Sequence, residues 1–112
     1  MHITIGSRTF VAKLYDNATA QALKAMLPLT LSMTDLNANE KYHHFPNDLP
    51  SDASNPGMIQ VGDLMLYQSN SLVLFYKSFS TAYSYTPVGK LADASGLADA
   101  LGSGNVTITF AR

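Results

Sequence analysis

From its first residues the chain alternates between polar and apolar. His2–Ile5 puts Ile3 and Ile5 on one face, Gly6-Ser7 follows as a turn, and residues 9–15 alternate again with Phe10, Ala12 and Leu14 on one side. Successive side chains of a strand point to opposite faces, so two such runs about a glycine turn predict a β-hairpin. The period then changes. Residues 18–26 are rich in Ala and Leu, and Ala22, Leu23, Met26 and Leu27 recur at helical spacing. That stripe predicts an amphipathic helix. The side-chain oxygens of Asp16-Asn17 can cap its start, and Pro28 ends it at Leu27, because a proline disfavours helical geometry in the residue before it.

Period two returns over residues 29–34, with Leu29, Leu31 and Met33 inward. Residues 35–39 are a polar connector, and residues 40–45 have the length and pattern of a short strand. Residues 46–57 hold Pro46, Pro50 and Pro56 among Asn47, Asp48, Asp52 and Asn55. They predict a long loop, a kind of segment that often carries binding. Residues 58–61 lead to a turn at Gly62-Asp63. Strands are expected over 64–67 and 72–76, joined by Ser69-Asn70-Ser71, and the nearly unbroken apolar run Leu72-Val73-Leu74-Phe75-Tyr76 predicts the most buried of them. A further strand is expected over 83–88 with Gly89-Lys90-Leu91 after it. A short helix over 95–101 stops at Gly102, and Gly102-Ser103-Gly104 turns into a last strand with Val106, Ile108 and Phe110 inward. Seven or eight short strands separated by turn residues predict a mainly β fold, a closed barrel or sandwich, with one clear helix and one short helix. Closure would also leave no unpaired sheet edge.

Composition narrows the partners. A chain of 112 residues is one domain. With 7 Lys+Arg against 8 Asp+Glu, the net charge is -1, so neither nucleic acid nor an anionic membrane surface is an expected partner. No apolar run approaches the ~18 residues of a membrane span. The 46% hydrophobic and 13% charged content excludes a disordered chain. Absence of cysteine excludes disulfides, thiolate nucleophiles and Cys-ligated metal centres. No basic and apolar leader opens the sequence, so the cytoplasm is the default compartment; a leader removed beforehand would leave the same residues.

The order of short motifs is distinctive. A hairpin precedes an Ala-rich helix ending in Leu27-Pro28. Then come Asn39-Glu40-Lys41-Tyr42, a Pro-rich loop, Gly62-Asp63 with Tyr67, Phe75-Tyr76, and Pro87-Val88-Gly89-Lys90-Leu91. From Ile3 to Phe110 this resembles the small bacterial cyclophilin-like domain proteins, a family whose function is not established. The resemblance implies a single domain over residues 1–112, a closed eight-stranded cyclophilin-like β-barrel capped by helices. It does not by itself imply prolyl isomerase activity, because a fold hosts many functions.

Prolyl isomerisation must lower a rotational barrier of ~18–20 kcal/mol. By the resemblance, a cyclophilin would do so with a guanidinium on the prolyl nitrogen, carried by a strand soon after the first helix. Here the comparable residues 29–45 hold no arginine, and Lys41 is their one Lys or Arg; the two arginines are Arg8 and Arg112. A lysine is a strongly hydrated point charge without the rigid donor fork. The Gln-Gly-Gly-Asp-Phe signature of cyclophilins is also missing. Nor is there a Gly-x-Ser-x-Gly elbow for a serine nucleophile or a Gly-Lys-Ser/Thr phosphate loop.

His43-His44 invites a metal reading, but neighbours on a strand face opposite ways and cannot share one ion easily, so no metal and no cofactor is expected. Glu40-Lys41 is either a solvated pair at a strand start or a polar group at a barrel mouth. Tyr42 and Phe45 either wall a groove or pack. In the aromatic-rich second half, Phe75 and Tyr76 face opposite ways, so one of them can be exposed. The expected function is therefore a non-catalytic binding module for a short peptide or small molecule. Its groove would lie between residues 41–45, the loop 46–57 and the aromatic strands. The candidate ligand-binding residues are Glu40, Lys41, Tyr42, His43, Phe45, Tyr67, Tyr76 and Tyr83. The alternatives are a weak prolyl isomerase or another enzyme on the same barrel, and an interaction domain that works through an exposed edge or as an oligomer.

Overall fold

The computed structural model describes residues 1–112. In chain order its elements are β1 (His2–Ile5), β2 (Arg8–Leu14), α1 (Ala18–Met26), β3 (Leu29–Leu36), β4 (Glu40–His44), β5 (Met58–Ile59), β6 (Asp63–Tyr67), β7 (Ser71–Phe75), β8 (Phe79–Ser80), β9 (Tyr85–Leu91), α2 (Leu97–Leu101) and β10 (Val106–Ala111). Eight strands close an antiparallel barrel in the order β1-β10-β3-β4-β7-β6-β9-β2, and β5 pairs with β8 in a separate two-stranded sheet. The closed barrel, the nine-residue helix and the five-residue helix agree with the fold expected from the sequence. Neither helix is long and apolar enough to cross a membrane.

Closure joins the two ends of the chain. β10 lies between β1 and β3, with Ile3 opposite Phe110 and Ile108 opposite Leu31. The inward residues of the alternating runs meet inside: Ile3, Ile5, Phe10, Met33, Leu64, Leu66, Leu72, Leu74, Ile108 and Phe110 belong to one buried cluster. A second, smaller cluster of Ile59, Met65, Val73, Phe75 and Tyr85 lies on the other side of β6 and β7. β7 therefore has an apolar layer on both faces, and all five of its residues are buried. That is the physical content of its unbroken apolar run.

α1 starts at Asn17, whose Oδ1 accepts from Ala20 N at 2.8 Å while its Nδ2 donates to Pro87 O at 2.8 Å. The second bond ties the helix to β9. Its buried residues are Thr19, Ala20 and Leu23, and Met26 is exposed. Of the expected stripe, Leu23 and Leu27 are buried, Ala22 is half-buried and Met26 lies outside. The buried face extends instead to Thr19 and Ala20, and the Thr19 hydroxyl is bonded to Pro50 O. Strand β8 has no legible alternation and was not expected. β9 runs three residues past its expected end at Val88. It carries Pro87 because its register against β6 shifts there: Leu64 pairs with Gly89 and Met65 with Pro87, leaving Val88 over. A bulge tolerates a residue that cannot donate to the ladder.

Candidate functional site

β4 divides the site in two. Alternation puts Lys41, His43 and Phe45 on the side of the main core, and Glu40, Tyr42 and His44 on the outside. Its register sets Lys41 opposite Asp35 on β3 and opposite Leu74 on β7.

Lys41 has no exposed surface. Its ammonium meets Asp35 Oδ1 at 3.0 Å, Gly102 O at 2.8 Å and Gly104 O at 2.6 Å. Each of its three N–H groups thus has a partner. Gly102 and Gly104 have φ of +66° and +74°, backbone that L side chains rarely adopt, and the turn they make brings both carbonyls to the charge. The Tyr76 hydroxyl donates to the same Asp35 oxygen, and its ring centroid lies 5.4 Å from the Lys41 nitrogen. The Tyr76 hydrogen bond, helped by the bond from Lys41, holds the Asp35 carboxyl below its ordinary pKa despite the opposing effect of burial. Burial first, and then the Asp35 bond, pushes Tyr76 up to about 12. At neutral pH this is a closed set of one cation, one carboxylate and one phenol.

The outer face holds a groove. Its hollow of about 410 Å³ is walled by Leu36, Tyr67, Tyr85 and the segment from Phe79 to Tyr83, with Glu40 among the lining residues. A second hollow of about 230 Å³, lined by Tyr42, His44, Ser71 and Val73, shares Leu36, Glu40 and Tyr67 with the first. The Tyr67 and Tyr83 rings stand edge to face with centroids 6.1 Å apart. Tyr67 also packs on Tyr85 at 5.5 Å, and Tyr85 on Phe75 at 5.5 Å, so the aromatic wall continues into the smaller core. Tyr83 at its rim is 63% exposed. Glu40 lies across from Phe75 and Leu36. Burial there, together with the negative charge of Asp35, raises the Glu40 carboxyl to about 7. No ion pair offsets this, because the molecule's one ion pair joins Lys41 to Asp35.

Of the eight residues expected to bind a ligand, the structure brings Glu40, Tyr42, Tyr67 and Tyr83 together around these two hollows. The other four lie elsewhere. Lys41 is not solvated but sealed under the turn of Gly102 and Gly104. Phe45 is buried in the main core. His43 shares its side of β4, with Nδ1 3.2 Å from Ser32 O and its ring edge-on to Phe45. Tyr76 is turned to Asp35. The loop 46–57 lines neither hollow; Ser54 bridges to Tyr85 and Asp52 N donates to Thr86 Oγ1, which holds the loop along β9. The segment from Phe79 to Tyr83 takes its place as the wall. His44, Phe79 and Tyr85 line the hollows beyond those eight. Alternation with Tyr42 would have pointed to His44, whose Nδ1 lies 2.5 Å from Ser71 Oγ. His43 and His44 face opposite sides, and no three His, Cys, Asp or Glu side chains come together in an arrangement that could hold a metal ion.

Both arginines lie outside the groove. Arg8 donates to Ser95 O and Gly96 O and covers the Phe10 ring. Arg112 donates to Lys24 O.

No curated protein and no solved structure matches the chain. The model of the cyclophilin-like family matches residues 3–111, from the first strand of the barrel to the last. A match over nearly the full length, on a closed eight-stranded barrel, makes this chain a member of the cyclophilin-like family.

Proposed function

We propose that the protein is a binding module that takes a short peptide or a small molecule in the outer groove. One observation carries the reading: tyrosine rings, Tyr83 among them at 63% exposure, are held over a hollow of about 410 Å³ beside a half-buried carboxyl that has no ion-pair partner. Concave, largely apolar sites with a few convergent polar groups are the usual form of ligand pockets. Prolyl isomerisation is left out of this reading because both guanidiniums are engaged by backbone carbonyls elsewhere.

A thermal-shift screen of proline peptides and small metabolites tests it. A ligand at a hundred times its Kd stabilises the folded state by about 2.7 kcal/mol, which shifts the midpoint by several degrees. Tyr83→Ala should weaken binding about tenfold, as aromatic anchors do. It should leave the midpoint of the free protein nearly unchanged, because the residue is exposed. A library with no active compound, or a ligand indifferent to Tyr83→Ala, overturns the reading.

A second reading is favoured by the Glu40 carboxyl, raised to about 7 by burial. A group that titrates near neutral pH is suited to general acid–base catalysis. Turnover of a groove ligand that is lost in Glu40→Gln while binding persists would favour the enzyme.

A further inference from the structure

We propose that the groove recognises an organic ammonium: a primary or methylated ammonium on an alkyl stem, seated against Tyr67 and Tyr83 with its charge on the Glu40 carboxylate. This names the ligand class of the groove and so rests on the binding reading above.

Three observations converge on that chemistry. The first is the sign of the charge. Glu40 is the one charged side chain that lines the hollow of about 410 Å³, which holds no lysine, arginine or histidine. The nearest lysine in sequence, Lys41, is turned into the barrel and neutralised by Asp35. An anionic ligand would meet no lysine or arginine there, and in the adjoining hollow only the His44 imidazole. The second is the unanswered carboxyl. Glu40 sits across from Leu36 and Phe75, and a carboxylate held against apolar neighbours is unfavourable until a cation or donor reaches it. The third is the wall. Tyr67 and Tyr83 lie on the rim of the same hollow as Glu40. The negative faces of aromatic rings attract a diffuse cation, and their apolar surface accepts its methyl or methylene groups.

A bare metal ion lacks this match. Hard divalent cations want several oxygen ligands, whereas a single carboxylate is present in the hollow. A free amine and the side chain of a lysine share the ammonium, so the test includes both.

Amide-resolved NMR titration decides the matter, with butylammonium, choline and N-acetyl-lysine methylamide as the cationic probes. Butanol and dimethylbutanol serve as uncharged isosteres, and butyrate as the anion. The expected result is saturable shifts confined to residues 36–42, 67 and 79–85. Ammonium probes should bind about tenfold more tightly than their neutral isosteres, and more weakly as salt is raised. Glu40→Gln should remove about tenfold of the ammonium affinity while leaving the neutral isosteres unchanged. Tyr83→Ala, at an exposed position, should weaken the cations independently. Tighter binding of N-acetyl-lysine methylamide than of butylammonium would name a peptide as the source, and the reverse a free amine. Neutral isosteres that bind the groove as tightly as the cations, or ammonium binding unaffected by Glu40→Gln, would overturn the ammonium assignment and leave the binding module standing. If no probe of any charge shifts Tyr67 and Tyr83, both fall.

Discussion

A lysine without exposed surface needs a partner for each of its N–H groups, and Lys41 finds them in Asp35, Gly102 and Gly104. Removing one partner of a buried pair strands the other, at about 3–5 kcal/mol. Asp35→Asn should therefore lower the urea-unfolding free energy by about that amount, because it strands the Lys41 ammonium, which has no exposed surface. Lys41→Met should cost less, because the Asp35 carboxylate it strands is 22% exposed and water can reach it. Equal and small losses in both variants would contradict the account. Glu40 makes the opposite electrostatic contribution. Its folded value of about 7 lies above the ordinary 4.5, so between those values the folded state holds a proton that the unfolded chain has released. Stability from this group is fully present below pH 4.5 and declines as pH rises through 7. Urea melts across that window should fall less steeply in Glu40→Gln than in the parent, and parallel curves would contradict the assignment. The Asp35–Lys41 pairing was not legible: by pattern residue 35 falls in the polar connector, and the turn centred on Ala38 that sets the two opposite each other contains no glycine. Nor were the two glycine carbonyls, because they come from a turn more than sixty residues away.

Among the elements, the seam between β2 and β9 closes the barrel, and Leu14 lies opposite Gly89 there. A Cβ on Gly89 would stand 2.7 Å from Lys13 O and 3.3 Å from Leu14 Cα, both backbone atoms that cannot swing aside. Gly89→Ala should therefore destabilise by about 1–3 kcal/mol, the usual range for overpacking. Thermal unfolding measures it, and a midpoint unchanged from the parent would contradict so close an approach. Strands with clear period two were legible to within a residue or two, from β1 and β2 to β10. The run in β7 announced burial on both faces. What failed to show was governed by contacts between distant segments. β8 is two residues long and exists because Met58–Ile59 pairs with it. The buried face of α1 keeps Leu23 and Leu27 of the stripe but takes in Thr19, whose hydroxyl meets Pro50 O of a distant loop. The continuation of β9 past Val88 to Leu91 depended on its pairing with β6 beyond the bulge and with β2.

At the scale of the molecule, one closed barrel places two different chemistries a residue apart. Lys41 is sealed inside with its charge satisfied, while Glu40 faces outward with its charge unanswered. Strand alternation alone produces that separation. The groove itself was only half legible. Glu40, Tyr42 and Tyr67 lie on predicted strands, and Tyr83 at the start of one. The far wall is the β8–β9 connection, brought over β6 by a small sheet that the pattern did not reveal. The titratable groups around Glu40 are the Asp35 carboxylate, the phenols of Tyr42, Tyr67, Tyr76, Tyr83 and Tyr85, and the His44 imidazole. No lysine or arginine is among them. The most direct measurement is the pH titration of the Glu40 side-chain carboxyl carbon by NMR, with and without choline. The account predicts a midpoint near 7 in the free protein that falls as the cation saturates the groove, since a positive neighbour favours the carboxylate. A midpoint near 4.5 in the free protein would contradict the half-buried, unpaired carboxyl at the centre of the site, and a midpoint that choline does not move would contradict the cation it is proposed to meet.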